Sequence, residues 1–212
     1  MLLVALTGGI GAGKSSASAR LADRGAVIVD ADAVVKDLQR VGRPVHAAMV
    51  ERWGERILAP DRSLDRQAVA DIVFNDSDEL AALNQLVHPA VRDEMARLVL
   101  AEAATDNIVV LDIPLLREGD AQKRGAVAVI VVDCPTDVAV ARLVAHRGFE
   151  RADAEARVAA QMTRDERLAI ADFVIDNAGG LDELEGEVER CWSWLVALRA
   201  DPPPLAEADG DG

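Results

Sequence analysis

The sequence predicts an α/β fold, a five-stranded parallel sheet with helices on both faces. Three observations predict it. Short β-branched runs alternate with long Ala/Leu/Arg segments, as parallel strands joined by helices do. Several of those runs are apolar at successive positions, which suits strands covered on both faces. The first run passes into a glycine-rich turn and then a helical pattern, the order strand, loop, helix.

Size and composition agree with one such domain. The chain has 212 residues, enough to bury a core, and half are apolar. Aromatic residues make up 3% and Tyr is absent, so the expected core is aliphatic. A formal charge of −14 argues against nucleic acid or an anionic membrane as partner, because both select basic faces. Any anionic ligand must then be met by a local cationic site. Cys134 and Cys191 have no metal-ligand spacing and are expected as reduced core thiols. The opening run "MLLVAL" lacks a basic flank and is too short to span a bilayer, so a soluble, cytoplasmic protein is expected.

The expected strands are 2–7, 26–30, 107–113, 127–133 and 172–176. About seventy residues separate the second from the third, too many for one crossover, and they carry helical patterns and turns such as "APDRS". This excursion, about 34–105, is the expected acceptor-binding region of a single domain spanning 1–200. After the fourth strand, "TDVAVARLVAH" reads as a helix capped by Thr136. Thr163 and Glu166 have capping-box spacing, so a new helix should start near Thr163. The broken helical stretch of about 142–171 is the expected lid, and the acidic, Pro-rich tail 201–212 is expected to be disordered.

Gly8, Gly13, Lys14 and Ser15 satisfy G-x-x-x-x-G-K-[ST] between a strand and a helix. In such a loop, backbone N–H groups converge on phosphates, the lysine reaches the β/γ oxygens, and the hydroxyl of Ser15 is offered to Mg²⁺. The loop alone fits a kinase, a GTPase switch or an ATPase. No N/T-K-x-D motif follows a strand and no strand ends in paired acids, which favours small-molecule phosphoryl transfer.

The second strand ends in "VDADAV", putting Asp30 and Asp32 at the carboxyl edge where open parallel sheets bind ligands. Either acid could take a proton from a hydroxyl, hold Mg²⁺ through water, or cap the following helix. "LVHPAVRDEM" places His88 before Pro89, a pairing usual at helix starts, with Arg92 one turn on. Asp112 ends the third strand ahead of Pro114, which suits a ligand loop or an acid-capped turn. Residues 142–167 carry Arg142, Arg147, Arg151, Arg157, Arg164 and Arg167 and are net positive in an acidic chain. Arginines of a lid can neutralise phosphoryl charge, whereas Arg151 and Arg157 fit ordinary i,i+4 ion pairs.

In order along residues 4 to about 177, "LTGGIGAGKS", "VDADAV", "VHPAV", "DIPLLRE", "RLVAHRG" and "AAQMTRDERLAIADFVIDN" resemble the dephospho-coenzyme A kinases. The resemblance implies a P-loop kinase of nucleoside-monophosphate-kinase type that phosphorylates the ribose 3′-hydroxyl of dephospho-CoA with ATP and Mg²⁺. This is the last step of coenzyme A synthesis. It implies that Gly8, Gly11, Ala12, Gly13, Lys14, Ser15 and Ser16 hold ATP, with Asn177 near the adenine. Asp32 resembles the base, and Lys14, Arg142 and Arg147 the groups that stabilise the transferring phosphoryl. His88, Arg92, Asp112, Pro114, Leu115, Gln161 and Arg167 join Asp32 in the implied acceptor site, and Ser15, with Asp30 through water, in the Mg²⁺ site. Three positions differ from the common pattern: Ser16 for Thr, Arg117 after Pro-Leu-Leu, and His146–Arg147 for Arg-Asp. The competing expectations are another small-molecule P-loop kinase, such as a nucleoside monophosphate kinase, and a nucleotide-dependent switch.

Overall fold

In a computed structural model, residues 1–74 and 76–203 are described. The expected tail therefore lies mostly outside the described residues. The chain forms two compact units, one of Met1–Val29 with Glu102 onward and one of Asp30–Ala101.

The first unit holds the sheet. Its strands are β1 (Leu2–Gly8), β2 (Val27–Asp30), β3 (Ile108–Asp112), β4 (Val129–Asp133) and β5 (Phe173–Asp176), in the order β2-β3-β1-β4-β5. All five lie inside or within one residue of their expected spans. β1 is central and pairs in parallel with β3 and β4, with Leu2 beside Ile108 and Ala5 beside Val129. Every residue of β1, β3 and β4 is buried, which is why these strands read as unbroken apolar runs.

One face of the sheet carries Leu2, Val4, Leu6, Ile108, Val110, Ile130, Val132 and Ile175. These pack with Ala17 and Leu21 of α1 (Lys14–Asp23) and with Leu184, Val188, Cys191 and Leu195 of the C-terminal helix (Leu181–Ala200). The spacing of those last four residues makes a single stripe, so that helix buries one side only. The core is aliphatic as composition requires, and both cysteines are buried free thiols.

The second unit is helical: α2 (Ala31–Leu38), α3 (Pro44–Trp53), a 3₁₀ turn (Gly54–Ile57), α4 (Arg66–Phe74) and α5 (Ser77–Ala101). Asp30 caps α2, its Oδ1 accepting from the N–H groups of Asp32 (2.8 Å) and Ala33 (3.1 Å). Pro89 corrects the expectation of a helix start at His88, for α5 runs straight through it. A proline there removes one bond of the helix, and the packing of α5 on α2, α3 and α4 outweighs that local cost.

The rest of the first unit's helices follow β4: α6 (Thr136–Arg147), α7 (Arg151–Ala159), α8 (Arg164–Ala169) and α9, the C-terminal helix. Thr136 is not a cap. Pro135 occupies that position and Thr136 is the first helical residue, with no side-chain cap bond. The Thr163–Glu166 box forms as expected, and the hydrogen bond from Thr163 holds the Glu166 carboxyl below its usual range.

Burial pushes the Cys191 thiol up to about 12, and raises Cys134 in the same direction. Thiolate is the reactive form, so at pH 8 neither cysteine should react with an aromatic disulfide reagent in the native protein, and both should react once urea unfolds it. Rapid native labelling of one thiol would show that its cover opens.

Candidate functional site

The loop between β1 and α1 is built so that few residues other than glycine fit. Gly11 has φ +79° and its missing Cβ would stand 2.7 Å from the Ala139 carbonyl oxygen of α6. Gly13 has φ +91°, and a Cβ there would run into the side-chain amide of Asn177. Lys14 then opens α1, whose first N–H groups are left without intrahelical partners, an arrangement that attracts phosphate. Ser15 is exposed, Ser16 is partly covered, and Gly8 ends β1 in the buried sheet.

Three side chains from far along the chain hold this loop. Gln161 Oε1 accepts from the Ile10 N–H at 2.8 Å. Asn177, 5% exposed, donates from Nδ2 to the Ala12 carbonyl at 2.7 Å. Arg167 lies over Gly9, where an added Cβ would be 2.9 Å from its Nη2. Its Nη1 donates to the Met162 carbonyl, and its Nε is buried with no hydrogen-bond partner among the described residues. Gln161 and Arg167 were expected with the acceptor; the structure sets both against the phosphate loop. The α7–α8 connection, through Gln161, and α8 itself, through Arg167, are thereby set against that loop.

Arg142 and Arg147, the expected lid arginines, differ sharply. Arg142 donates to the carbonyls of Asn177 (2.7 Å) and Gly179 (2.9 Å), so its guanidinium braces the loop after β5. Arg147 ends α6 exposed, and it enters no ion pair among the described residues. Arg151 and Arg157 make the ordinary pairs expected of them, with Glu155 at 2.9 Å and Asp153 at 3.9 Å.

Lys14 is paired with Asp112, whose side chain is 4% exposed at the end of β3. Asp112 was expected in the acceptor site; here it is the counterion of the loop lysine. Pro114 follows, half-buried, and Leu115 stands 68% exposed.

An ion pair beside the site also escaped sequence reasoning. Asp133 at the end of β4 accepts from Arg164 Nε at 3.1 and 2.8 Å and from Nη2 at 2.6 Å, fastening the start of α8 to the sheet. A signal was present: β2, β3, β4 and β5 all end in aspartate.

In the second unit Asp32 is exposed in the first turn of α2. His88 and Arg92 are exposed one turn apart on α5. His46, unnoticed in the sequence, is buried, its Nε2 2.9 Å from the Arg62 carbonyl oxygen.

The Arg142–Asn177–Ala12 chain has a measurable consequence. Asn177→Ala and Arg142→Ala should each raise the KM for ATP by roughly tenfold, since losing one or two hydrogen bonds loosens the loop by about 1–2 kcal/mol. If Arg142→Ala instead lowers kcat with KM unchanged, the arginine acts on the transferring group and not as a brace.

A sequence model described as dephospho-CoA kinase matches residues 2–183. A dephospho-CoA kinase of Streptomyces avermitilis is 48% identical over 202 residues, covering 95% of this chain and 98% of that one. One of Thermobifida fusca is 44% identical over 195 residues, 92% and 96% of the two chains. Among solved structures, a Thermus thermophilus protein superposes with a TM-score of 0.75 at 31% identity, covering 92% of this chain and 96% of that one. A Campylobacter jejuni dephospho-CoA kinase shares the fold, with a TM-score of 0.68 at 23% identity over 90% and 95%. With a matching family pattern over most of its length and relatives aligned nearly end to end, this chain belongs to the dephospho-CoA kinase family.

Proposed function

We propose that this protein transfers the γ-phosphoryl group of ATP to the ribose 3′-hydroxyl of dephospho-CoA, giving coenzyme A and ADP, the last step of coenzyme A synthesis. The observation that carries the reading is the phosphate loop with its lysine held by the buried Asp112, in a chain of this family. The first N–H groups of α1 and Lys14 would receive the ATP phosphates.

Asp32 is the proposed base. The two acids of "VDADAV" could have been equivalent, but Asp30 takes the cap bonds of α2 and leaves the Asp32 carboxylate exposed and uncommitted to the cap. In the proposed step the 3′-oxygen bonds to the γ-phosphorus as the bridge to the β-phosphate breaks. The hydroxyl proton passes to the Asp32 carboxylate and ADP leaves with the bridging oxygen.

Mg²⁺ fits the residues present. The exposed Ser15 hydroxyl is a hard oxygen donor, and the described residues contain no cluster of three His, Cys, Asp or Glu that would cage a metal by protein alone. That suits an ion held largely by phosphate and water. When bound, it neutralises charge on the β- and γ-oxygens. Asp30 is a weaker candidate through water, one of its oxygens being taken by the cap. A cytoplasmic site of action is part of the proposal, and no described helix is long and apolar enough to cross a membrane.

The functional test is ADP release with dephospho-CoA, with nucleoside monophosphates and with no acceptor. Turnover should require dephospho-CoA; equal turnover without an acceptor would sink the reading. Asp32→Asn should lower kcat by ~10²-fold, toward the low end for a lost base because the loose transition state asks little of one. Asp30→Ala should lower stability by about 1 kcal/mol, read as a fall in thermal midpoint. Reversed outcomes would move the base to Asp30.

A further inference from the structure

His46 is a buried ionisable side chain that the proposed reaction does not use. We infer that it is a positioning residue for acceptor binding: its Nε2–H holds the Arg62 carbonyl, keeps the turn before α4 in a strained shape, and so fixes where α4 begins. This rests on the proposed reaction, in which Asp32 of the same unit meets the acceptor hydroxyl.

The bond has one polarity. A carbonyl only accepts, so the ring nitrogen 2.9 Å from it carries a proton, and the neutral ring is the Nε2–H tautomer.

What the bond holds is strained. Arg62, at φ +66°, is the only residue other than glycine with a positive φ among the described residues. A side chain resists that left-handed region. The Arg62 guanidinium offers little in return, because its pair with Glu55 is 3.5 Å long between two exposed side chains. The turn is closed by Arg62 N–H on the Ala59 carbonyl and Ala59 N–H on the Ser63 carbonyl, each at 2.8 Å. Those bonds lie within the turn, whereas the one from His46 fastens it to α3.

α4 hangs from that turn. Asp65 follows it directly, donating its N–H to the Ile57 carbonyl at 2.8 Å. Its Oδ1 accepts from the N–H groups of Gln67 (2.9 Å) and Ala68 (3.1 Å) and so caps α4. No residue of α4 is buried, so burial holds this helix weakly and its attachment at the cap matters more. A shift of the turn would carry Leu64, Arg66 and Val69 with it, and these share the lining of one cleft with Asp32 and Met49. Met49 lies one turn from His46 on α3, so the clamp and that lining are anchored in the same helix.

Packing is the rival account, in which His46 merely fills space. The two accounts differ in which substitute works. Glutamine sets an amide N–H near the place of Nε2, whereas leucine fills the volume and donates nothing.

The experiment compares wild type with His46→Gln, His46→Leu, Arg62→Gly and the double variant His46→Leu/Arg62→Gly. His46→Leu should raise the KM for dephospho-CoA roughly tenfold, with kcat and the KM for ATP nearly unchanged, and His46→Gln should stay near wild type. Glycine takes the left-handed shape unaided, so on the Arg62→Gly background the same leucine substitution should cost about twofold or less. Hydrogen exchange at the Gln67 and Ala68 amides reads the turn without substrate, and it should quicken in His46→Leu but not in His46→Gln. If His46→Leu does not fold, His46→Asn replaces it, since the shorter amide stops short of the carbonyl. Leucine as good as histidine, or glutamine as poor as leucine, overturns the clamp. Faster exchange with an unmoved KM overturns the positioning role. A wild type that binds dephospho-CoA without phosphorylating it defeats the functional reading, and calorimetric titration of dephospho-CoA then carries the same comparison of variants. A wild type that neither binds nor phosphorylates it defeats both.

Discussion

A loop rich in glycine has few side chains with which to hold its own shape, only Ile10 and Ala12 packing inward, and the nucleotide end depends on further hold supplied from elsewhere. Gly11 and Gly13 adopt conformations that a side chain would resist, and glycine brings its own cost in backbone entropy. The compensation comes from Gln161 on Ile10, Asn177 on Ala12 and Arg167 above Gly9. Each spans more than 150 residues of chain. The loop is therefore a product of the completed fold and not of its own sequence.

The same constraint explains why the later helices matter. α8 is fastened to β4 by Arg164 and Asp133, and the residues just before it touch the phosphate loop. Arg142 of α6 braces the segment that carries Asn177. Basic residues that look alike in the sequence thus divide into braces, a latch, surface ion pairs and one exposed guanidinium, according to what each reaches.

The sheet was legible because its three inner strands are buried throughout and appear as apolar runs, and because the other strands are short β-branched runs that, like β3 and β4, end in aspartate. The helical excursion was legible from its length and periodicity. Pro89 misled because local preference is weak against tertiary packing, and Thr136 misled because Pro135 took the position at which it was expected to act. At the site, the glycine–lysine motif could be read directly, since its chemistry is local. The partners of that motif could not. Nothing in the neighbourhood of Asp112, Gln161 or Asn177 says that its bond is to a residue near position 10. The distinction between Asp30 and Asp32 became visible only when the cap bonds of α2 were seen to fall on one carboxylate.

Under the proposed function, the pairing of Lys14 with Asp112 would make the arrival of a nucleotide an exchange rather than a simple attraction. A free lysine in a largely covered site would bind any phosphate strongly and release it slowly. With a resident counterion, phosphate gains only the difference between two partners, and after transfer the departing product leaves an ammonium group that has an alternative to return to. In the proposed reaction this exchange would hold nucleotide affinity down and give the lysine a partner as product departs. Because the acid is almost wholly buried, added salt screens this competition less than it would a pair in open solvent.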